Sequence, residues 1–169
     1  LKECSEKLYA IIGYQLVKTL SEHGSVSRGV CKTDGAGFLA AIHERTNICR
    51  EEGRIVYEEN NRQQELLPST EVSMNFWCFD PAVFKLSEKM FHAFLEKNRD
   101  NPKSEFFIPI VADHFINEGL GKIKVIPTSS QWFGVTYKED APGVEKSLHD
   151  LIAKGEYPQR LWQQEAEKI

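Results

Sequence analysis

The run LYAIIGY at positions 8–14 decides the fold class of this chain. Its residues are almost all apolar and show no regular alternation with polar ones. A continuous apolar run of this length is typical of a β-strand that is covered on both faces, and such strands usually lie inside a parallel sheet. A strand of this kind close to residue 1 leads us to expect that further elements precede it in the native protein. The alternative is an early strand that inserts into the middle of the sheet.

Length and charge limit the class of protein. A chain of 169 residues with 41% hydrophobic residues suits one domain with a substantial core. The net charge of −4 argues against a surface for nucleic acid or for an anionic membrane. The sequence contains no apolar run near the roughly 18–20 residues of a transmembrane helix and no signal-peptide pattern at its start.

The four cysteines indicate a reducing environment. They form no CxxC pair, and Cys31 and Cys78 lie in apolar, strand-like runs, where a thiol behaves as a small hydrophobic group. The five histidines show no metal-ligand spacing. We therefore expect a cytoplasmic protein without disulfides and without a zinc site.

The pattern of apolar, turn and helix-capping residues predicts an α/β fold with a mixed sheet, arranged as an α/β/α sandwich. Both hairpins and helical crossovers connect the predicted strands. Residues 33–37 form the glycine-rich turn of one hairpin, and residues 46–68 form a hairpin or flap. Strands are predicted at residues 8–14, 28–32, 38–44, 54–57, 72–79, 122–126 and 132–137, and helices at residues 81–97, 105–119 and 140–155.

One polar side chain stands out in the strand at residues 72–79, whose sequence is VSMNFWCF. Burying the amide of Asn75 there costs about 1–3 kcal/mol unless its donors and acceptors find partners. The residue is therefore expected either to hold a neighbouring loop or to bind a ligand.

Five blocks of sequence resemble bacterial sugar-phosphate nucleotidyltransferases, and they occur in the order found in that family. The most similar branch is a group of nucleotidyltransferase-domain proteins; glucose-1-phosphate thymidylyltransferases and UDP-N-acetylglucosamine pyrophosphorylases are more distant. The blocks are YQLVKTLSEHGSVSRGV at 14–30, IHER at 42–45, VSMNFW at 72–77, KSEFFIP at 103–109 and WFGVTYKED at 132–140.

The resemblance implies a GT-A-like, Rossmann-related fold and a nucleotidyl transfer. In such enzymes the N-terminal half binds a nucleoside triphosphate, and the C-terminal half binds a sugar phosphate whose oxygen attacks the α-phosphorus. Pyrophosphate leaves, and Mg²⁺ assists by neutralising charge. The sequence has no GxGTR-like loop, since its glycines at 35 and 37 fall in a predicted hairpin turn. Residues 1–169 are thus expected to form the acceptor half only, which would be inactive alone.

Three of the residues carried over from the resemblance lie in the predicted hairpin. Gly29 matches a position where the backbone approaches the sugar, and Glu44 matches an acid that accepts hydrogen bonds from sugar hydroxyls. Arg45 stands where relatives often have a lysine that contacts phosphate. The structural alternatives are a hairpin glycine, a surface acid, and an arginine paired with Glu44 or Glu51.

Two further residues match sugar contacts. Asn75 aligns with a residue that hydrogen-bonds the sugar in relatives, and its alternative is a satisfied core amide between strands. Glu105 aligns with a sugar contact in some relatives, and its alternative is a helix cap.

The expected metal position is a departure from the family. Relatives carry Asp or Asn in the last block as a Mg²⁺ ligand, where this chain has Gly134, Val135 and Thr136. A threonine hydroxyl is a poor substitute for a carboxylate on Mg²⁺. Asp140 or Glu139 is the nearest replacement, although Asp140 is also expected to be the N-cap of the last helix.

Two other functions remain open at this stage. A cytidylyltransferase for phosphocholine or a similar alcohol would need an aromatic cage, for which Phe76, Trp77 and Trp132 are candidates. A non-catalytic binding or regulatory module is favoured by the missing metal ligand. The expected partners are a sugar phosphate and a nucleoside triphosphate rather than nucleic acid or membrane, and self-association is left open.

Overall fold

A computed structural model describes residues 4–160 of the chain. Within this range the protein is a mixed α/β structure with a seven-stranded sheet of order β5-β4-β3-β2-β6-β1-β7 and three α-helices, so the predicted fold class is confirmed at this level. The strands are β1 (Leu8–Gln15), β2 (Val26–Thr33), β3 (Leu39–Glu51), β4 (Arg54–Glu59), β5 (Arg62–Leu66), β6 (Glu71–Cys78) and β7 (Lys122–Thr128); the helices are α1 (Val83–Asn98), α2 (Ile108–Asn117) and α3 (Ala141–Ala153).

The chain divides into two compact units. The first contains all seven strands together with α1 and α2. The second consists of Ser21–Gly24 and the chain from Phe133 onward, including α3. No helix among residues 4–160 is both long enough and apolar enough to cross a membrane.

Strand β1 lies inside the sheet, as the apolar run predicts. It pairs with β6 on one side and with β7 on the other, and Tyr9, Ala10 and Ile11 are buried. The pairing with β7 is parallel, whereas all the other strand pairs are antiparallel. The interior position is therefore confirmed, but the surrounding sheet is mostly antiparallel.

The sheet has a core on each face because alternate residues of a strand point to opposite sides. The helix-side cluster includes α1 and α2 residues, and the ribbon-side cluster packs the long β3–β5 ribbon against β2 and β6. Among the described residues, the ribbon-side cluster contains none from an α-helix. Its buried members are Leu16, Val26, Ile48, Ile55 and Val72, whereas those of the helix-side cluster are Tyr9, Ile11, Cys31, Leu39, Ile42, Val83, Val111, Ala112, Phe115, Ile123 and Val125.

The glycine-rich turn between β2 and β3 is held by hydrogen bonds within the turn and by a hydrogen bond to β7. Asp34 accepts hydrogen bonds from the backbone N–H groups of Ala36 and Phe38, each at 2.9 Å. The N–H of Val125 donates to the carbonyl of Gly37 at 3.1 Å. The Asp34 carboxylate thus occupies the N–H groups that a phosphate would need, which agrees with the turn not being a phosphate-binding loop.

The strand predicted at residues 132–137 does not form. The backbone there is irregular, and the N–H groups of Thr136 and Tyr137 donate to the carboxylate of Asp140. In a β-strand these N–H groups would donate to a neighbouring strand. Here the carboxylate of Asp140 accepts their hydrogen bonds instead. The apolar alternation of the segment alone was therefore misleading.

The buried position predicted for Asn75 is wrong. Asn75 is exposed and adopts φ +57°, in the left-handed region that asparagine tolerates better than most residues. On β6, Trp77 pairs with Ile11 and Ser73 pairs with Gly13, so two extra residues bulge from β6. The bulge turns the amide toward solvent instead of into the core.

Candidate functional site

Four residues from adjacent strands form a row across the sheet, which we call the glycine row. Glu44 lies opposite Gly29, Gly29 opposite Ser73, and Ser73 opposite Gly13. A β-carbon built on Gly29 would point toward Ile42 of the helix-side cluster, so the row lies on the helix-side face. Two of its four members lack a side chain and a third is small, and Gly13, Gly29 and Ser73 are all buried.

The two glycines also meet packing requirements. A β-carbon at Gly29 would lie 3.1 Å from Ile42 Cδ1 and 3.3 Å from Ser73 Cβ, and one at Gly13 would lie 2.8 Å from Val125 Cγ1. Both are closer than ordinary van der Waals contact. The structure therefore supports the structural alternative for Gly29, and the approach of a sugar there stays a prediction.

The carboxyl group of Glu44 is influenced by two charged residues from other parts of the chain, Arg28 and Glu105. Burial raises the pKa of the half-buried Glu44 carboxyl, the Arg28 guanidinium opposes this rise, and the negative charge of Glu105 adds to it. Glu105 is exposed and precedes α2, whose N-cap residue Phe107 makes no side-chain capping bond. Glu105 therefore does not cap the helix.

Arg28 was not among the residues singled out from the sequence. Its guanidinium is buried, donating to Ser27 O at 2.7 Å, to Thr19 Oγ1 at 3.2 Å and also to Thr19 O, and it lies 5.2 Å from the ring centre of Trp132. Burial lowers its pKa, and the charge of Glu44 counteracts this. The sequence does contain a signal for this burial. Arg28 alternates with the apolar residues Val26 and Val30, so it shares their face of β2.

Arg45 has a different environment from Glu44. Its guanidinium forms an ion pair with Glu59 and lies 4.9 Å from the ring centre of Tyr57, both on β4. Tyr57 packs on the ribbon-side cluster. Adjacent residues on a strand point to opposite faces, so Arg45 is directed away from the glycine row. The pairing with Glu44 or Glu51 is not observed.

The backbone of Asn75 forms a hydrogen bond with a member of the glycine row. Its N–H donates to Ser73 Oγ at 3.1 Å, which fixes the bulge beside the row. The left-handed conformation gives a structural reason for asparagine at this position.

Asp140 lies in the second unit and accepts three hydrogen bonds. Its Oδ2 accepts from the N–H groups of Tyr137 (2.8 Å) and Thr136 (3.1 Å), while Oδ1 accepts from Ser21 Oγ (2.8 Å). These donors, the Tyr137 N–H first, lower the pKa of Asp140, and His23, 3.9 Å away, also contributes. Its side chain makes no capping bond to α3 and instead caps the short turn Lys138–Asp140.

These contacts do not fit a metal ligand. Both carboxylate oxygens of Asp140 already accept hydrogen bonds from the protein. Across residues 4–160, no group of three or more His, Cys, Asp or Glu side chains is arranged to hold a metal ion. Asp140 is therefore a structural residue of the second unit.

Replacing Asp140 with asparagine is expected to loosen the turn that it caps, because an amide offers one acceptor oxygen in place of two. The backbone amides of Thr136 and Tyr137 should exchange with deuterium several-fold faster, with Asp150→Asn on the exposed face of α3 as the control. Because the pKa of Asp140 is lowered, its contribution is present at neutral pH and is lost as pH falls through that pKa. Unchanged exchange at both amides in Asp140→Asn would contradict the assignment.

Two of the three aromatic residues proposed for a cage have a ring face occupied by another residue. Trp77 stacks on Phe79 with ring centres 5.3 Å apart, and Arg28 lies over Trp132. Phe76, by contrast, is exposed. The arrangement gives no support to a quaternary-ammonium site.

The four cysteines are free thiols, and burial raises the pKa of Cys31 to about 12.

Comparison with known proteins identifies no family for this chain. No protein-family model matches the chain, and no curated protein matches it.

Proposed function

We propose that this chain is the acceptor-binding part of a cytoplasmic sugar-phosphate nucleotidyltransferase with a GT-A-like fold. In this proposal a hexose 1-phosphate oxygen attacks the α-phosphorus of a nucleoside triphosphate, and pyrophosphate leaves. The nucleotide-binding half would come from sequence outside residues 1–169. The observation that carries the proposal is the register that places Glu44 opposite Gly29, with Glu105 near enough for its charge to raise the pKa of Glu44.

The chemistry of this surface suits a sugar. An ionised carboxylate accepts hydrogen bonds and donates none, and it can bind two hydroxyl groups of a pyranose. The charge of Glu105 disfavours ionised Glu44, and hydroxyl donors bound to Glu44 would offset that effect.

The phosphate and the metal ion would each need their own binding groups. Arg45, the phosphate contact expected from the resemblance, pairs with Glu59 on the other face of the sheet, so the phosphate of a sugar held at the glycine row would need another cation. Mg²⁺ is commonly held by substrate phosphates together with one or two carboxylates. Since Asp140 does not fit that role, the carboxylates would have to be supplied by other residues.

Glu44→Gln is expected to have opposite effects on stability and on binding. Because the pKa of Glu44 is raised in the folded state, its charged form opposes folding at pH 7, and stability rises as pH falls through that pKa. The variant should therefore gain unfolding free energy at pH 7, by less than about 1 kcal/mol because solvent screens a half-buried charge. It should bind glucose 1-phosphate about tenfold more weakly, since a charged hydrogen-bond acceptor is lost.

Urea denaturation and calorimetric titration at pH 7 measure the two effects. Glu88→Gln, on the exposed surface of α1, is the matched control and should change neither. A Glu44→Gln variant that binds glucose 1-phosphate as well as the native protein would overturn the role of Glu44. Preference for phosphocholine over glucose 1-phosphate would instead favour the other acceptor class.

A non-catalytic binding module is the second candidate. It is favoured by the hydrogen bonds that occupy Asp140 and by the absence of a carboxylate at residues 134–136. The two functions differ in one measurement on the protein with all of its coding sequence. Release of pyrophosphate that depends on glucose 1-phosphate indicates the enzyme, whereas binding of glucose 1-phosphate without release indicates the module.

A further inference from the structure

A hollow lies at the β7 end of the glycine row; we call it the Gly13 cleft. It encloses about 400 Å³ at the point where β1 and β7 end and β6 begins. Because β1 and β7 are parallel, their carboxyl ends meet at the same edge of the sheet, where α/β proteins commonly bind ligands. Its lining residues are Gly13, Gln15, Ser69, Glu71, Pro127, Thr128 and Ser129.

The floor of the Gly13 cleft is continuous with the glycine row. Gly13 lies between Ser73 on β6 and Pro127 on β7. Neighbouring strands are about 4.8 Å apart, so Gly13 lies about 10 Å from Gly29 along the sheet. A hexose ring placed over Gly29 would leave the cleft free for a group attached to it.

The walls carry polar groups without partners. The side chains of Gln15 and Glu71 are half-buried, and neither they nor Ser69 form a hydrogen bond or an ion pair with any residue of the described part of the chain. Glu71 also lies close enough to the core that its charge adds to the rise in the pKa of Cys31, of which burial is the main cause. The polar atoms of Gln15 and Glu71 remain accessible to solvent, so they are available to bind a ligand.

The remaining polar groups add hydroxyl chemistry. Thr128 Oγ1 accepts a hydrogen bond from the N–H of Ser130 at 3.1 Å, and its own proton is available to donate. Lys18 donates to the carbonyl of Ser129, but it is not among the residues that line the cleft. The lining therefore contains one negative charge, one amide and three hydroxyls, and no cation.

We propose that the Gly13 cleft is a second subsite that binds an uncharged, hydroxyl-rich group, namely a further glycosyl unit or a polyol carried by the acceptor. This rests on the proposed function, because the glycine row would hold the hexose 1-phosphate itself. The oxygens of Glu71 and the amide of Gln15 match neighbouring hydroxyl groups, which both donate and accept. The charge of Glu71 disfavours an anionic group at the same place.

The substrate class can be tested with two sugar phosphates. Maltose 1-phosphate should bind about tenfold more tightly than glucose 1-phosphate, because its second glucosyl unit gains hydrogen bonds in the cleft. Gln15→Leu and Glu71→Gln should each reduce this difference while leaving the affinity for glucose 1-phosphate unchanged. The control is Glu58→Gln on β4, an exposed acid outside both surfaces.

A phosphate-free ligand tests the cleft independently of the glycine row. Millimolar maltose should shift the backbone amide signals of Gly13, Glu71 and Thr128 in nuclear magnetic resonance spectra, and Gln15→Leu should abolish the shifts. Equal affinity for both phosphates together with no maltose shifts would overturn the subsite and leave the proposed function intact. Shifts with maltose but no binding of either phosphate would retain a carbohydrate site and contradict the proposed function.

Discussion

Arg28→Ala is expected to lower the free energy of unfolding by about 3 kcal/mol. The substitution removes a buried guanidinium that donates to Thr19 Oγ1, Thr19 O and Ser27 O, and it leaves these acceptors without their partner. It also removes the group that lies over the ring of Trp132. Because Arg28 counteracts the rise in the pKa of Glu44, ionised Glu44 should become still less favourable in the folded state.

Arg28→Lys is the informative companion variant. A lysine keeps the charge but presents no planar fork, so it cannot reach the three acceptors in the same geometry and should recover only part of the loss. Arg50→Ala removes an exposed arginine from β3 and should change stability by no more than about 0.5 kcal/mol. The measurement is urea denaturation at pH 7. Equal stability of Arg28→Ala and Arg50→Ala would show that the buried network contributes nothing.

Gly121→Ala is expected to destabilise the protein by about 3 kcal/mol, because the added methyl group meets atoms that cannot retreat. A β-carbon there would lie 2.4 Å from Phe115 Cζ and 2.5 Å from the carbonyl oxygen of Lys7. Phe115 is in the helix-side cluster, and the Lys7 carbonyl accepts a hydrogen bond from the N–H of Lys122 at 2.9 Å. Relief of either contact would disturb the core or the start of the β1–β7 pairing.

Gly35→Ala is the matched control for this substitution. Gly35 lies in the exposed β2–β3 turn, has no atom within 4 Å of a built β-carbon, and does not adopt a left-handed conformation. Its replacement should be neutral within about 0.5 kcal/mol. Thermal and urea denaturation compare the two variants. Similar Tm values for Gly121→Ala and Gly35→Ala would refute the close packing of Gly121.

The local sequence predicted the elements whose signals agree with their tertiary environment. The apolar run of β1 indicated an interior strand, and the structure places it between β6 and β7. Helix α1 was expected from residue 81 and begins at Val83, where Asp80 accepts a hydrogen bond from the N–H of Ala82. In both cases hydrophobic pattern and chain geometry point to the same structure.

The structural predictions were wrong where a single side chain changes the path of the backbone. The segment at residues 132–137 has a strand-like pattern, but Asp140 takes two of its N–H groups. Asn75 was placed in the core by its apolar neighbours, although its left-handed φ creates a bulge instead. Neither hydrogen bonding at a distance nor backbone handedness is visible in hydrophobic periodicity.

The candidate site was only partly accessible from sequence. The hairpin pattern suggested that Gly29 and Glu44 lie close together, and the register confirms that they are opposite each other. The proximity of Glu105 depends on tertiary folding, and Arg28 drew no attention because its burial depends on Thr19 and Trp132. Residues from separate elements meet through topology, which a one-dimensional pattern does not contain.

The position of β1 has a consequence for biosynthesis. The ribosome makes this apolar strand before its partners, because β6 begins only at Glu71 and β7 only at Lys122. Translation proceeds at about 5–20 residues per second, so both edges of β1 remain unpaired for several seconds. We therefore expect nascent chains that stop before β7 to bind holdase chaperones through residues 8–15, and chains that include β7 to be released.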